Sequence, residues 1–189
     1  MKLGVFGGSF DPVHVGHLLV AERAAEAAKL DRVLMVVAAQ SPFKRDRRLA
    51  PGEERLALLR LAVKGHPVLE ASDLELRRGG VSYTIDTLRE LARRHPKASL
   101  HLILGADAAE GLTGWKSLPE LARLATFVFL GRPGHRIRAR MPKQITVDAP
   151  LVEVSSTEIR ERLRRGRSVR WRVPEAVERR LLRKRLYAR

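Results

Sequence analysis

The sequence predicts an α/β fold built on a doubly wound parallel sheet, and three observations carry that prediction. Apolar, β-rich runs alternate with amphipathic helical patterns along all 189 residues, the pattern of successive βαβ units. The first apolar run, Leu3, Val5 and Phe6, leads into Gly-Gly-Ser-Phe-Asp-Pro-Val-His-Val-Gly-His from Gly7 to His17, a strand-to-helix turn with two histidines. The residues suited to handling phosphate fall just after strands, where the ligands of an open parallel sheet bind.

In order, the first strand is expected near Lys2 to Phe6 and the first helix from about Gly16 to Lys29. Arg32 to Ala38 carries the unbroken apolar run Val33 to Val37 and reads as a strand buried on both faces. Gln40 to Gly52 is a polar loop with Pro42, Lys44, Arg45, Arg47 and Arg48, placed to act as a flap. Leu56, Leu59, Leu61 and Val63 predict a helix over Glu53 to Lys64, ended by His66-Pro67 and followed by a short strand, Val68 to Ala71. Asp73 to Leu76 alternates as another short strand, turned at Gly79-Gly80. A helix over Thr84 to His95 buries Leu88, Leu91 and Ala92, and the strand Ser99 to Leu104 ends at Gly105-Ala106-Asp107. A helical turn at Leu118 to Leu124 precedes a strand at Ala125 to Leu130. Beyond a loop rich in Gly, Pro and Arg, Ile145 to Val147 and Leu151 to Val154 supply the last strand material. A helix starts at Ser155 or Ser156 and runs to about Arg165, and Pro174 takes the first position of a terminal helix. The expectation is one domain, 1–189, in which 155–189 forms a small C-terminal helical appendage.

Composition narrows the function. A chain that is 44% hydrophobic, with no apolar run long enough for a membrane span and no secretory leader at its start, reads as an ordinary globular protein. Zero cysteines exclude disulfides, thiolate metal sites and a cysteine nucleophile, which suits the cytoplasm. The net charge of +16 is uneven: 18 of the 37 Lys+Arg but 6 of the 21 Asp+Glu fall from residue 132 onward. Those arginines are interleaved with apolar residues at helical spacing, as on a solvated helix face, so nucleic acid binding is not expected as the main activity.

The chemistry concentrates at the first turn. His14 and His17 are three apart at a helix mouth, where unpaired N–H groups and the helix dipole attract anions, and the preceding glycines let a phosphate approach the backbone. Ser155-Ser156-Thr157-Glu158 has the spacing of a capping box and offers hydroxyls at a second helix start. On spacing alone, Asp107 suits a ribose contact or an N-cap equally, Thr84 suits a helix cap, and Trp115 suits a core anchor, although it follows the Gly-rich stretch Gly111 to Gly114, a poor setting for a buried helix.

The Gly7 to His17 stretch resembles the signature of the nucleotidyltransferase superfamily whose loop reads (His or Thr)-x-Gly-His. In its fuller form it is similar to the nicotinate-nucleotide adenylyltransferase family. The same family's order is followed by Pro42-Phe43-Lys44, Ser82-Tyr83-Thr84, Gly105-Ala106-Asp107 with Trp115, Gly131-Arg132-Pro133, and Ser155 to Arg160. Phe43 stands where the family usually has histidine, and Ser9 where threonine is commoner. The resemblance implies a Rossmann-like sheet on which the phosphate of nicotinate mononucleotide attacks the α-phosphorus of ATP, expelling pyrophosphate without a covalent enzyme intermediate. It makes His14, His17 and Lys44 catalytic. It assigns Gly7, Gly8, Ser9, Phe10, Gly105, Asp107, Arg132, Ser155, Ser156, Thr157 and Arg160, with the two histidines, to ATP. It assigns Lys44, Thr84 and Trp115 to the acceptor. Mg²⁺ would be held by the ATP phosphates, with no metal site on the protein. The rival readings are an adenylyltransferase for nicotinamide mononucleotide or phosphopantetheine and, from another class, a basic nucleic-acid-binding module. Assembly into a homo-oligomer is left open.

Overall fold

β1 (Lys2–Gly8), β2 (Arg32–Val37), β3 (Leu69–Ser72), β4 (Ser99–Gly105), β5 (Ala125–Gly131) and β6 (Gln144–Asp148) form one sheet in the order β3-β2-β1-β4-β5-β6. Every neighbouring pair is parallel. This is a computed structural model, and it describes residues 1–42, 49–131, 139–148 and 152–188. The chain leaves β1 through α1 (Val15–Ala28), passes through α2 (Gly52–Ala62), α3 (Leu74–Arg78) and α4 (Thr84–Arg94), and returns to the other side of β1 as β4. Strand order therefore reverses between β1 and β4, and the crevice at their carboxyl ends is the place such a sheet offers to a ligand.

β2 explains the two-layer packing: Val33, Met35 and Val37 enter one core, while Leu34 and Val36 enter the other, as strand alternation requires. The first core lies under α1 and α2 and takes in Ile159 and Leu163 of α7 (Ser156–Arg164) and Val177 and Leu181 of α8 (Glu175–Arg183). The expected appendage thus closes the main core, and Arg180 of α8 pairs with Glu54 of α2 at 2.8 Å. The second core lies under α4 and α6 (Leu118–Leu124), with Leu88, Leu91 and Leu121 against Leu102 and Phe127.

Several expectations need correction. Residues 74–78 form α3, not a strand, because four alternating residues cannot distinguish a pleat from one helical turn, and Asp73–Arg77 pair one turn apart at 3.1 Å. Residues 152–154 are not in a strand, so β6 alone is the last. Pro174 caps α8 from outside and is not its first helical residue. Gly7 and Gly8 belong to β1, so the turn begins at Ser9. Too short to leave a periodic signal, α5 (Ala106–Glu110) and a 3-10 turn (Leu112–Gly114) follow β4. Among the described residues, no helix is long and apolar enough to cross a membrane.

Candidate nucleotide site

A cleft of ≈ 860 Å³ opens at the β1/β4 crevice, within the range of small-ligand sites. β1 and the following loop contribute Gly7, Gly8, Ser9 and Phe10, and the mouth of α1 contributes His14 at its cap and His17 in its first turn. β4 adds Gly105, and the start of α7 adds Ser155, Ser156, Thr157 and Arg160. A side chain at Gly7 or Gly105 would meet nothing within 4 Å, so at both places the backbone lies open to close approach.

The two histidines stack, with ring centroids 3.7 Å apart and planes at 28°. His14 caps α1 in extended backbone, and its N–H donates to Nδ1 of His17 at 3.2 Å. A neutral His17 accepting at Nδ1 carries its proton on Nε2, which leaves that edge a donor. Burial holds the pKa of His14 down to about 4, against an opposing pull from Glu158. His14 is therefore neutral at pH 7, which lets the rings stack without like-charge repulsion. A side chain at Gly16 would come within 3.1 Å of the His14 ring, so glycine at that position makes room for the stack. Phe10 both lines the cleft and shapes its loop. Its ring is buried, edge-on to His17 at 5.0 Å and to Phe6 at 5.8 Å, in a left-handed backbone (φ 45) that a bulky residue adopts only under constraint.

Side chains from distant elements hold this loop. Arg55 of α2, 2% exposed, donates to the carbonyls of Ser9 (2.7 Å), Ala38 (2.9 Å) and Ala50 (2.9 Å). Arg160 donates to the Asp11 carbonyl at 2.6 Å and to Thr157 Oγ1 at 3.1 Å, and Ser156 Oγ donates to the Pro12 carbonyl at 2.9 Å. Arg160 thus braces the loop as well as lining the cleft. Sequence reading missed Arg55 and gave Asp11 no part. A signal for Arg55 existed, since it shares a helix face with the buried Leu58 and Leu59. Ser155 Oγ accepts from the Glu158 N–H at 3.1 Å, as the capping box predicts, but the Glu158 carboxylate turns to Arg172 at 2.9 Å and does not complete the box.

Thr84 and Trp115 do not line this cleft. Their chain neighbours meet at a second locus, where Lys116 Nζ sits 4.4 Å over the Tyr83 ring. Trp115 is half-buried against the second core. Thr84 opens α4 as its first helical residue, behind Tyr83 at the cap position. The turn before it is pinned, since Ser82 Oγ accepts from the Ala39 N–H at 2.9 Å and Ser82 N–H donates to the Gln40 carbonyl at 2.8 Å. Buried Glu75 accepts from Thr87 Oγ1 at 2.5 Å and bonds Ser82, while burial raises its pKa. Asp107 falls within α5. Lys44, Phe43 and Arg132 lie outside the described residues.

Residues 5–162 match the family model described as cytidylyltransferase-like. A "Probable nicotinate-nucleotide adenylyltransferase" of Thermus thermophilus is 49% identical over 178 residues, 94% of this chain and 95% of that protein. The protein of the same description from Exiguobacterium sibiricum is 42% identical over 189 residues and all of both chains. In three dimensions the chain is similar to the Plasmodium falciparum nicotinic acid mononucleotide adenylyltransferase complexed with NaAD, with a TM-score of 0.81 and 19% identity over 98% of this chain and 97% of the other. At that identity the likeness speaks for the fold alone.

Proposed function

We infer the reaction from kinship: this chain belongs to the cytidylyltransferase-like nucleotidyltransferases and, among them, to the nicotinate-nucleotide adenylyltransferases. It transfers the adenylyl group of ATP to nicotinate mononucleotide, giving nicotinate adenine dinucleotide and pyrophosphate, a step of NAD biosynthesis. The observation that carries the site assignment is the stacked histidine pair at the mouth of α1, facing the cleft at the strand-order reversal.

An acceptor phosphate oxygen attacks the α-phosphorus of ATP as the bond to the pyrophosphate oxygen breaks, in line and with no covalent enzyme intermediate. Catalysis then rests on positioning and on meeting charge that grows on the leaving oxygens. In our reading His17 offers its Nε2–H to those oxygens, and His14, neutral and buried, orients His17 through its backbone N–H. The open backbone at Gly7 and Gly105 and the hydroxyls of Ser155, Ser156 and Thr157 hold the nucleotide, with Arg160 fixing the loop between them. Ser9 and Phe10 shape that loop, Asp107 binds the ribose, and Lys44 and Arg132 bring positive charge to the phosphates.

At the second locus Thr84 and Trp115 receive the pyridine end, a flat ring suited to an indole face. A Mg²⁺ ion would arrive on the triphosphate and neutralise its charge. Among the groups facing the cleft, the imidazoles, hydroxyls and the Arg160 guanidinium suit this, since they address phosphate. Action in the cytoplasm, where ATP is drawn on, belongs to this proposal.

The test is pyrophosphate release by the purified protein with ATP and Mg²⁺, run side by side on nicotinate mononucleotide, nicotinamide mononucleotide and phosphopantetheine. The first should be preferred. Absence of product with it would end the reading, and preference for another acceptor would reassign the second locus.

A further inference from the structure

One cluster is left unused by this chemistry: a buried carboxylate that borders the cleft, drawn together with a phenol and a backbone amide. Asp11 is 3% exposed. Its Oδ1 accepts from the Tyr187 hydroxyl at 2.6 Å and from the Ala50 N–H at 3.1 Å. Its Oδ2 is buried with no hydrogen bond, Arg160 Nη1 lying 3.6 Å away. Tyr187 follows α8 in a left-handed backbone (φ 67), as does Arg185 (φ 49), and together they turn the chain back onto the core. Two non-glycine residues in that region within three positions mark a geometry imposed by tertiary contacts.

We propose that Tyr187 is a positioning residue for adenylyl transfer, acting through Asp11 to set the loop that presents His14 and the backbone that enters α2. The inference rests on the function assigned above only for its kinetic readout. Asp11 stands three residues before His14, and the carbonyls of Ser9, Asp11 and Pro12 are held by Arg55, Arg160 and Ser156, so the carboxylate is a further polar handle on the loop. Ala50 is gripped from both sides, its N–H by Asp11 and its carbonyl by Arg55. Burial first, and then Asp11, drive the Tyr187 pKa far up, so the phenol stays a donor. Removing that donor leaves a buried carboxylate with one hydrogen bond in place of two, and the loop must shift to compensate.

The test uses the full chain as Tyr187→Phe, Asp11→Asn and the double variant. Tyr187→Phe keeps the packed ring and should lower kcat about tenfold while leaving the KM for nicotinate mononucleotide unchanged. The double variant should be no slower than Asp11→Asn alone, because the phenol acts through that carboxylate. Independently of activity, the His14 imidazole, followed by NMR against pH, should titrate closer to its ordinary value in Tyr187→Phe than in the unmodified chain. Additive kinetic losses, or a lowered Tm with unchanged kcat and unchanged His14 titration, would overturn the proposal. If the unmodified chain makes no dinucleotide, the functional reading falls and the titration alone decides. If Tyr187→Phe does not fold, an unshifted His14 in Asp11→Asn overturns it.

Discussion

At the nucleotide end, the carbonyls of Ser9, Pro12 and Asp11 are held by side chains 46, 144 and 149 residues away in sequence. At the end assigned to the acceptor, Glu75, Arg78, Ser82 and Thr87 hold one another across no more than 12 residues. Both arrangements bury polar groups that must find partners, because an unmet buried donor or acceptor costs more than a hydrogen bond gains. They differ in what can disturb them. A loop braced from two distant helices, α2 and α7, is sensitive to changes far from the reacting atoms, while the other cluster is held largely within its own stretch, with Ser82 tying it to Ala39 and Gln40.

The largest effect should come from the reacting end itself. His17→Ala is expected to lower kcat by roughly 10²–10⁴-fold, with a thermal midpoint close to that of the unmodified chain, since His17 is only half-buried. A kcat within twofold of the original would break the assignment. Next, Arg55→Ala strips partners from three carbonyls at once and should destabilise the protein by about 3 kcal/mol or more, read from urea unfolding.

Acid should expose the same end. His14 binds a proton near pH 6.5 when unfolded and near pH 4 when folded, so between those values the unfolded chain holds more protons. Its contribution is complete above about 6.5 and lost as pH falls toward 4, on the order of 3 kcal/mol. His101, lowered by burial, acts in the same direction, while Glu75, raised by burial, opposes it at the acid end. The difference in stability between the unmodified chain and His14→Asn, followed from pH 7 to 4, isolates the His14 share and should shrink with acid.

The smallest effect sharpens the contrast. Thr87→Val removes a donor from buried Glu75 and should cost about 1–2 kcal/mol. It should raise the KM for nicotinate mononucleotide and leave that for ATP unchanged. An equal rise in both would mean that the two ends are not separately braced.

Much of this is legible in the chain alone. The βαβ alternation, the helix after Gly7 to His17, the strand material of all six strands and the Ser155 cap can be read because helix and strand periods and capping spacings lie within a few residues. The shortest pieces escape that reading: α3 looks like a strand over four residues, and α5 lacks the length to display a period. Placing His14 and His17 beside Ser155 to Thr157 requires the family pattern, since no local signal joins segments so far apart.

By itself, then, the chain determined its elements, its layer type and which short segments carry phosphate-handling groups, because those depend on neighbours along the backbone. Only the tertiary structure decided the strand order, the burial that keeps His14 neutral and lets its ring stack on His17, and the partnerships of Arg55 with Ser9 and of Tyr187 with Asp11, the last spanning 176 positions. Such pairings are chosen when buried polar groups from unrelated segments must satisfy one another inside a closed core, a condition that exists only once the whole chain has folded.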